Sequence, residues 1–250
     1  MSDLPKKAKG IKITSLNDSK AKDGTVYLGG DFRSKECIKL LCQADIVVTN
    51  PPFSLFREYI AQLVEYGKNF VIIGNKNAIT YKEVFSLIKN NRIWVGYTPM
   101  STDLTFHISK EFAKKLVSEK KEGSGYKIVN GEVMARAQAI WFTNLEHSKR
   151  QDKLILHKTY NPTDYPKYDN YNAIEVSKTA NIPIDYDGAM GVPITFLDKY
   201  NPGQFEIVGM GEDNGTGQSG GVWQGGSKSC LVNGLAKFKR VFIRKVKGAN

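Results

Sequence analysis

The chain has 250 residues, of which 41% are hydrophobic, and its formal net charge is +11. That length and apolar share suit one large domain or a domain and a half with a real core. No apolar run approaches the ~18 residues a membrane span needs, and mean hydropathy is −0.36, so no membrane-spanning helix is expected. The basic start has no apolar stretch behind it, so no secretory signal is expected. Cys37, Cys42 and Cys230 are odd in number and scattered, which argues against a disulfide framework and for a reducing cytoplasm. A basic excess of this size favours a polyanionic partner, nucleic acid before an anionic membrane surface.

Residues 1–24 are polar and basic, with one short extended candidate at Ile11-Lys12-Ile13-Thr14. Residues 25–32, TVYLGGDF, read as a strand ending in a Gly-Gly turn with an acid beyond it. Residues 35–44 have apolar positions three and four apart, which predicts a helix. Cys37 and Cys42 fall on its apolar face. Residues 45–49, DIVVT, are short, apolar and β-branched, the pattern of a strand covered on both faces. The next helix has its stripe at Leu55, Phe56, Tyr59, Ile60, Leu63 and Val64. Ser54 is the candidate N-cap and Gly67 the stop. FVIIG (70–74) reads as a second buried strand. Residues 80–91 read as a second amphipathic helix, with Thr80 and Glu83 spaced as a capping box. RIWVGY is extended again. This alternation predicts a parallel sheet in an α/β domain.

Further on, a basic helix fits 109–120, hairpin chemistry fits KEGSGYKIVNGE, and a strand fits 135–145. After about residue 150 the texture changes to tyrosine, proline, asparagine and glycine. The expected organisation is therefore a sheet-bearing catalytic region over 1–150 and a loop-rich, mostly β region over 151–250.

The stretch with the sharpest chemistry is Asn50-Pro51-Pro52-Phe53, directly after the 45–49 strand. Sites in open α/β sheets lie beyond the carboxyl ends of strands. Two prolines fix φ and remove two backbone donors, so the corner is stiff and offers carbonyl oxygens. The Asn50 side chain adds an acceptor and a donor, and Phe53 adds a ring face. Two acceptors beside a ring suit a planar base with an exocyclic amine. The Asn50 oxygen and the Pro51 carbonyl take its two hydrogens, which helps localise the nitrogen lone pair. The plain alternative is an Asn-Pro turn followed by a core phenylalanine.

Asn-Pro-Pro-Phe after a hydrophobic strand resembles the catalytic motif of S-adenosylmethionine-dependent amino-methyltransferases. More closely, ADIVVTNPPFSLFREYIAQL, NFVIIGNKNAITYKEVFSLIKNNRIWVG, WFTNL, YPKYDNYNAIEV and IPIDYDGAMGVPITFLDKYNPGQFEIVG resemble the EcoRI-type adenine-specific DNA methyltransferases, from about residue 25 to near the C-terminus. The resemblance implies a Rossmann-like methyltransferase sheet and a C-terminal target-recognition region. It implies methyl transfer from S-adenosylmethionine to the amine of an adenine flipped out of double-stranded DNA. Asn50, Pro51, Pro52 and Phe53 would be catalytic, while Asp31 and Phe32 would hold the cofactor adenine. Trp141 and Phe142 sit where related enzymes pack on the flipped base; core aromatics in a strand are the alternative. Asp31 also reads as a simple turn acid.

Such enzymes also carry, upstream of these blocks, a strand and glycine-rich turn for the methionine half of the cofactor. Here Gly10 is followed by a single weak strand and no such turn. The sheet is therefore expected to be incomplete at its N-terminal side, with a second chain supplying that part. The rival expectations are a catalytically inactive DNA-binding remnant, or the same chemistry on RNA or a protein glutamine.

Other features carry less. His107, His147 and His157 have no zinc-site spacing, and no metal is expected. Residues 211–230 lack the closure of a phosphate loop. They read either as a mobile DNA-contacting loop, with Trp223 and Gln224 touching bases, or as a floppy surface loop. In the tail, Lys237, Lys239, Arg240, Arg244, Lys245 and Lys247 alternate with Phe238, Val241, Phe242, Ile243 and Val246. That pattern fits a half-buried edge strand or a set of phosphate contacts.

Overall fold

The computed structural model describes residues 16–211 and 217–248; the extended candidate at 11–14 and Gly10 lie outside them. In chain order the elements are β1 (Ser19–Lys20), β2 (Val26–Tyr27), α1 (Lys35–Gln43), β3 (Ile46–Thr49), α2 (Phe56–Glu65), β4 (Asn69–Asn75), α3 (Lys82–Lys89) and β5 (Trp94–Val95). Then come β6 (Leu104–Phe106), α4 (Lys110–Ser118), β7 (Tyr126–Val129), β8 (Glu132–Ala137) and β9 (Ala139–Thr143). The remainder is β10 (Ile174–Glu175), β11 (Met190–Pro193), β12 (Phe205–Met210), β13 (Leu231–Val232), β14 (Leu235–Ala236) and β15 (Arg240–Lys245).

The sheet that positions the Asn-Pro-Pro-Phe corner runs β3-β4-β9-β5. β3 and β4 are parallel, as expected. The rest corrects the all-parallel expectation, because β9 is antiparallel to both β4 and β5. No crossover helix leads into β9. It follows β8 after one residue, Gln138, out of a separate antiparallel sheet ordered β6-β8-β7. The single strand expected over 135–145 is thus split between two sheets. The β7–β8 turn uses Asn130 and Gly131 at φ 51° and 81°, the conformation a two-residue hairpin needs.

Helices α2 and α3 cover one face of the central sheet. Phe56, Ile60 and Leu63 meet Phe70 and Ile72 of β4, Phe142 of β9 and Phe85 of α3 in a single core. Gly74 lets this happen: a Cβ there would lie 2.5 Å from the Phe56 ring and 2.8 Å from the Phe142 ring. The helix ends differ from the expected caps. α2 is entered through a 3-10 turn, Phe53–Leu55, in which the Leu55 N–H donates to the Pro52 carbonyl at 3.0 Å. Ser54 sits inside that turn and caps nothing. The capping box of Thr80 and Glu83 does not form either, because the Thr80 hydroxyl donates to the Asn77 carbonyl (2.8 Å) in a preceding 3-10 turn. Gly67 does stop α2, at φ 60°, with the Lys68 N–H donating to the Leu63 carbonyl at 2.9 Å.

The strand expected over 25–32 is only the two-residue β2, paired with β1. β3 also departs from expectation. It pairs with β4 alone and forms the sheet edge, so Ile46 is 50% and Val48 68% exposed. Cys42 is exposed as well.

The C-terminal region is mostly β, with a second sheet ordered β10-β11-β15-β12. The basic tail is central there, correcting the edge-strand reading. β15 is bonded on both sides, and Arg240 to Ile243 are buried. Arg240 survives burial by pairing with Glu175 at 2.6 Å, which also accepts from the Tyr168 hydroxyl; a buried charge needs such partners. Residues from both sides of position 150 share one core, in which Ile60 and Phe85 belong with Ile207 and Ile243. Within the 211–230 segment, Gln218, Ser219 and Val222 turn inward while Ser227 to Ser229 are exposed. Gln218 and Ser219 are buried, and the Gln218 carbonyl accepts the Met210 N–H at 2.8 Å.

Candidate functional site

Beyond the carboxyl end of β3 the chain turns through Asn50-Pro51-Pro52-Phe53 beside a cleft of about 550 Å³. Asn50, Pro51 and Pro52 line it, and so do Asp31 and Phe32 from the turn after β2. Two groups far apart in sequence thus meet in one cleft. Among the described residues no group hydrogen-bonds the Asn50 side chain, which is exposed. Pro51 is buried, and its carbonyl likewise accepts nothing from the described residues, whereas the Pro52 carbonyl is taken by the Leu55 N–H. Two acceptors, the Asn50 oxygen and the Pro51 carbonyl, are left on a stiff corner. Phe53 stands outside the cleft lining, with 41% of its surface exposed.

The Asp31 side of the cleft is built more heavily than the sequence suggests. The Asp31 carboxylate accepts from the Arg33 backbone N–H (2.9 Å), from Nε (3.0 Å) and from Nη2 (2.8 Å). These Arg33 hydrogen bonds hold its carboxyl below the usual range, against an opposing effect of burial. Arg33 also bridges to Glu58 of α2 at 2.9 Å. The Phe32 ring meets Tyr59 edge-on, with centroids 4.9 Å apart, and the Gln62 amide nitrogen donates to the Phe32 carbonyl at 3.3 Å. Burial pushes the Tyr59 hydroxyl above its ordinary pKa.

Arg33 and Gln62 escape the sequence reading, which takes Tyr59 only as part of the apolar stripe of α2. A signal was there for Gln62, an amide three residues after Tyr59 beside an otherwise apolar stripe. Asp31 is the one charged side chain among the lining residues. The walls near β3 are aliphatic, Ile46, Val47 and Val48 among them.

The remaining candidates lie elsewhere. Phe142 is fully buried and packs on Phe56, with centroids 5.0 Å apart; it is a core residue, which corrects its assignment to the substrate. Trp141, its neighbour in β9, points to the opposite face. It lines a separate hollow of about 310 Å³ with Gly96, Tyr97 and His147. In register Trp141 pairs with Ile73, and Thr49 with Ile72, so Trp141 stands two strands from the Asn50 corner at a similar level. Trp223 packs on the C-terminal core, and its indole N–H donates to the Ser227 carbonyl at 3.3 Å. Neither tryptophan lines the Asn50 cleft. Among the described residues no group of three or more His, Cys, Asp or Glu side chains is placed to hold a metal, and no helix is long and apolar enough to cross a membrane.

Comparison with known proteins gives a consistent result. The family model described as adenine-specific methyltransferase EcoRI matches residues 3–246. The type II methyltransferase M.EcoRI of Escherichia coli is 46% identical over 221 residues, covering 86% of this chain and 62% of its own length. M.MgeORF184P of Mycoplasma genitalium is 43% identical over 182 residues, and M.MpnI of Mycoplasma pneumoniae 41% over 185; each match covers 72% of this chain and 56% of the relative. The chain thus spans about three fifths of the length of these relatives. No solved structure matches.

Proposed function

Because the chain belongs to the EcoRI family of adenine-specific methyltransferases, we propose that it carries the base-binding and catalytic corner of a DNA adenine methyltransferase of the restriction–modification type. The observation that carries this reading is the convergence of Asn50, Pro51, Asp31 and Phe32 on one cleft. S-adenosylmethionine, when bound, supplies an electrophilic methyl group. The residues present fit the base end of that cofactor: an ionised acceptor at Asp31, the Phe32 ring, and a cleft of suitable size. They do not supply a cation for its amino-acid end, since Asp31 is the one charge in the lining.

At the other end of the cleft the Asn50 oxygen and the Pro51 carbonyl accept the two hydrogens of the target amine. Both are oxygens and neither gives up a proton, so they orient the nitrogen lone pair without protonating it. Phe53 offers its exposed ring to the extruded base, and stacking of this kind contributes ~1–3 kcal/mol. The substrate is double-stranded DNA with the adenine swung out. The part of the family's length that this chain does not span would supply the amino-acid end of the cofactor pocket. It docks on the side where β3 lacks a neighbour.

Asn50→Ala tests the reading. It removes one acceptor from an exposed position, so methyl transfer to duplex DNA is expected to fall by ~10²-fold or more, with the melting temperature unchanged. Transfer at the wild-type rate by that variant would dismiss the role of the corner.

A further inference from the structure

We propose that Arg33 is a positioning residue that fixes Asp31 as a single-place acceptor, so that the cofactor seat takes a 6-aminopurine and rejects its 6-oxo counterpart. The inference rests on the reading of the Asp31–Phe32 side as the cofactor seat.

A carboxylate has about four lone-pair positions. Arg33 occupies three: its N–H and Nε on Oδ1, and Nη2 on Oδ2. One position remains, on Oδ2, and Asp31 lines the cleft. The guanidinium is itself held. Glu58 takes Nη1 at 2.9 Å, and the rings of Tyr27 and Phe32 lie 4.9 Å and 5.2 Å from its carbon. The Gln62 amide ties the same turn to α2 through the Phe32 carbonyl. The carboxylate is therefore fixed in direction by a planar fork that lysine cannot reproduce.

An ionised carboxylate only accepts, and the Arg33 contacts favour the ionised form of this one. The ligand atom facing it must carry a proton. An exocyclic amine does; a ring carbonyl presents lone pairs instead and is repelled. A site built to bond an N–H discriminates strongly against an analogue without it.

The test is calorimetric titration of the 250-residue chain with S-adenosylhomocysteine and with its inosine counterpart. The wild type is expected to favour the adenine ligand by ~100-fold or more, with little change in that preference between pH 7.5 and pH 5. Arg33→Met frees Asp31 to tilt and to take up a proton. Its affinity for the adenine ligand should fall ~10-fold or more. Its preference should shrink further as the pH is lowered towards ~4, the range in which an unclamped aspartate carboxyl protonates and can donate to the 6-oxo group. Arg33→Lys keeps the cation and loses the fork; weaker binding with the preference retained is expected, and this variant serves if Arg33→Met does not fold. An Arg33→Met variant with wild-type preference and a flat pH profile overturns the clamp, as does wild-type affinity in Arg33→Lys. Equal binding of both ligands by the wild type overturns the clamp but leaves the seat. Binding of neither overturns the cofactor reading and the clamp together.

Discussion

Neighbouring residues in a strand can have opposite fates, as β9 shows. Trp141 and Phe142 carry the same kind of side chain, yet Phe142 is sealed against Phe56 while Trp141 lines a shallow hollow. Phe142→Ala should cost about 3–5 kcal/mol, the range for a large buried aromatic, and Trp141→Ala markedly less; chemical denaturation of the two variants checks this. Equal losses would contradict the facing assigned here. The sequence could pair the two residues but not say which faces inward, because a one-residue shift in register reverses every side chain. The Asn50–Phe53 corner was legible for the opposite reason. Its stiffness is local, written in two adjacent prolines, and its position after β3 needed only the apolar run before it. Arg33 was not legible, since its role depends on Glu58 and Tyr27, which only the folded chain brings beside it.

Among the elements, β3 has the strongest consequence for function. An unpaired strand edge with exposed aliphatics and no lysine, proline or bulge invites strand addition. The part of the family's length that this chain does not span would pair there. If so, co-expression with the part of the Escherichia coli relative outside its match to this chain should yield a complex that survives purification. Val48→Lys should abolish that complex while changing the stability of the free chain by less than about 0.5 kcal/mol, as expected for an exposed site. A complex that forms equally well with Val48→Lys would rule out this edge as the docking surface. Helix and strand positions near β3 were readable from periodicity, whereas the caps were not. Both misjudged caps lie where a 3-10 turn precedes the helix, so that Ser54 falls inside the turn and the Thr80 hydroxyl bonds within it. The direction of β9 was also out of reach, because it is set by the outlying β6-β8-β7 sheet, a connection that apolar runs alone do not reveal.

At the scale of the whole molecule, the +11 charge belongs with the proposed duplex substrate. Neutralising a phosphate releases counterions, so log affinity should fall with log salt at about −0.9 per contact. For some six contacts, raising salt from 50 to 200 mM should weaken binding of a short duplex by ~10³-fold, as fluorescence anisotropy would report. A flat salt profile would leave the charge without a role in DNA binding. The α/β class and the β-rich second half were visible in composition and alternation. The shared core was not, because it gathers residues as distant in sequence as Ile60 and Ile243. A last point concerns the bare flank of β3. Two copies related by a two-fold axis would meet there antiparallel, consuming the same N–H and C=O groups that an incoming strand requires. Self-pairing and addition of the family's remaining segment would therefore compete for the same edge.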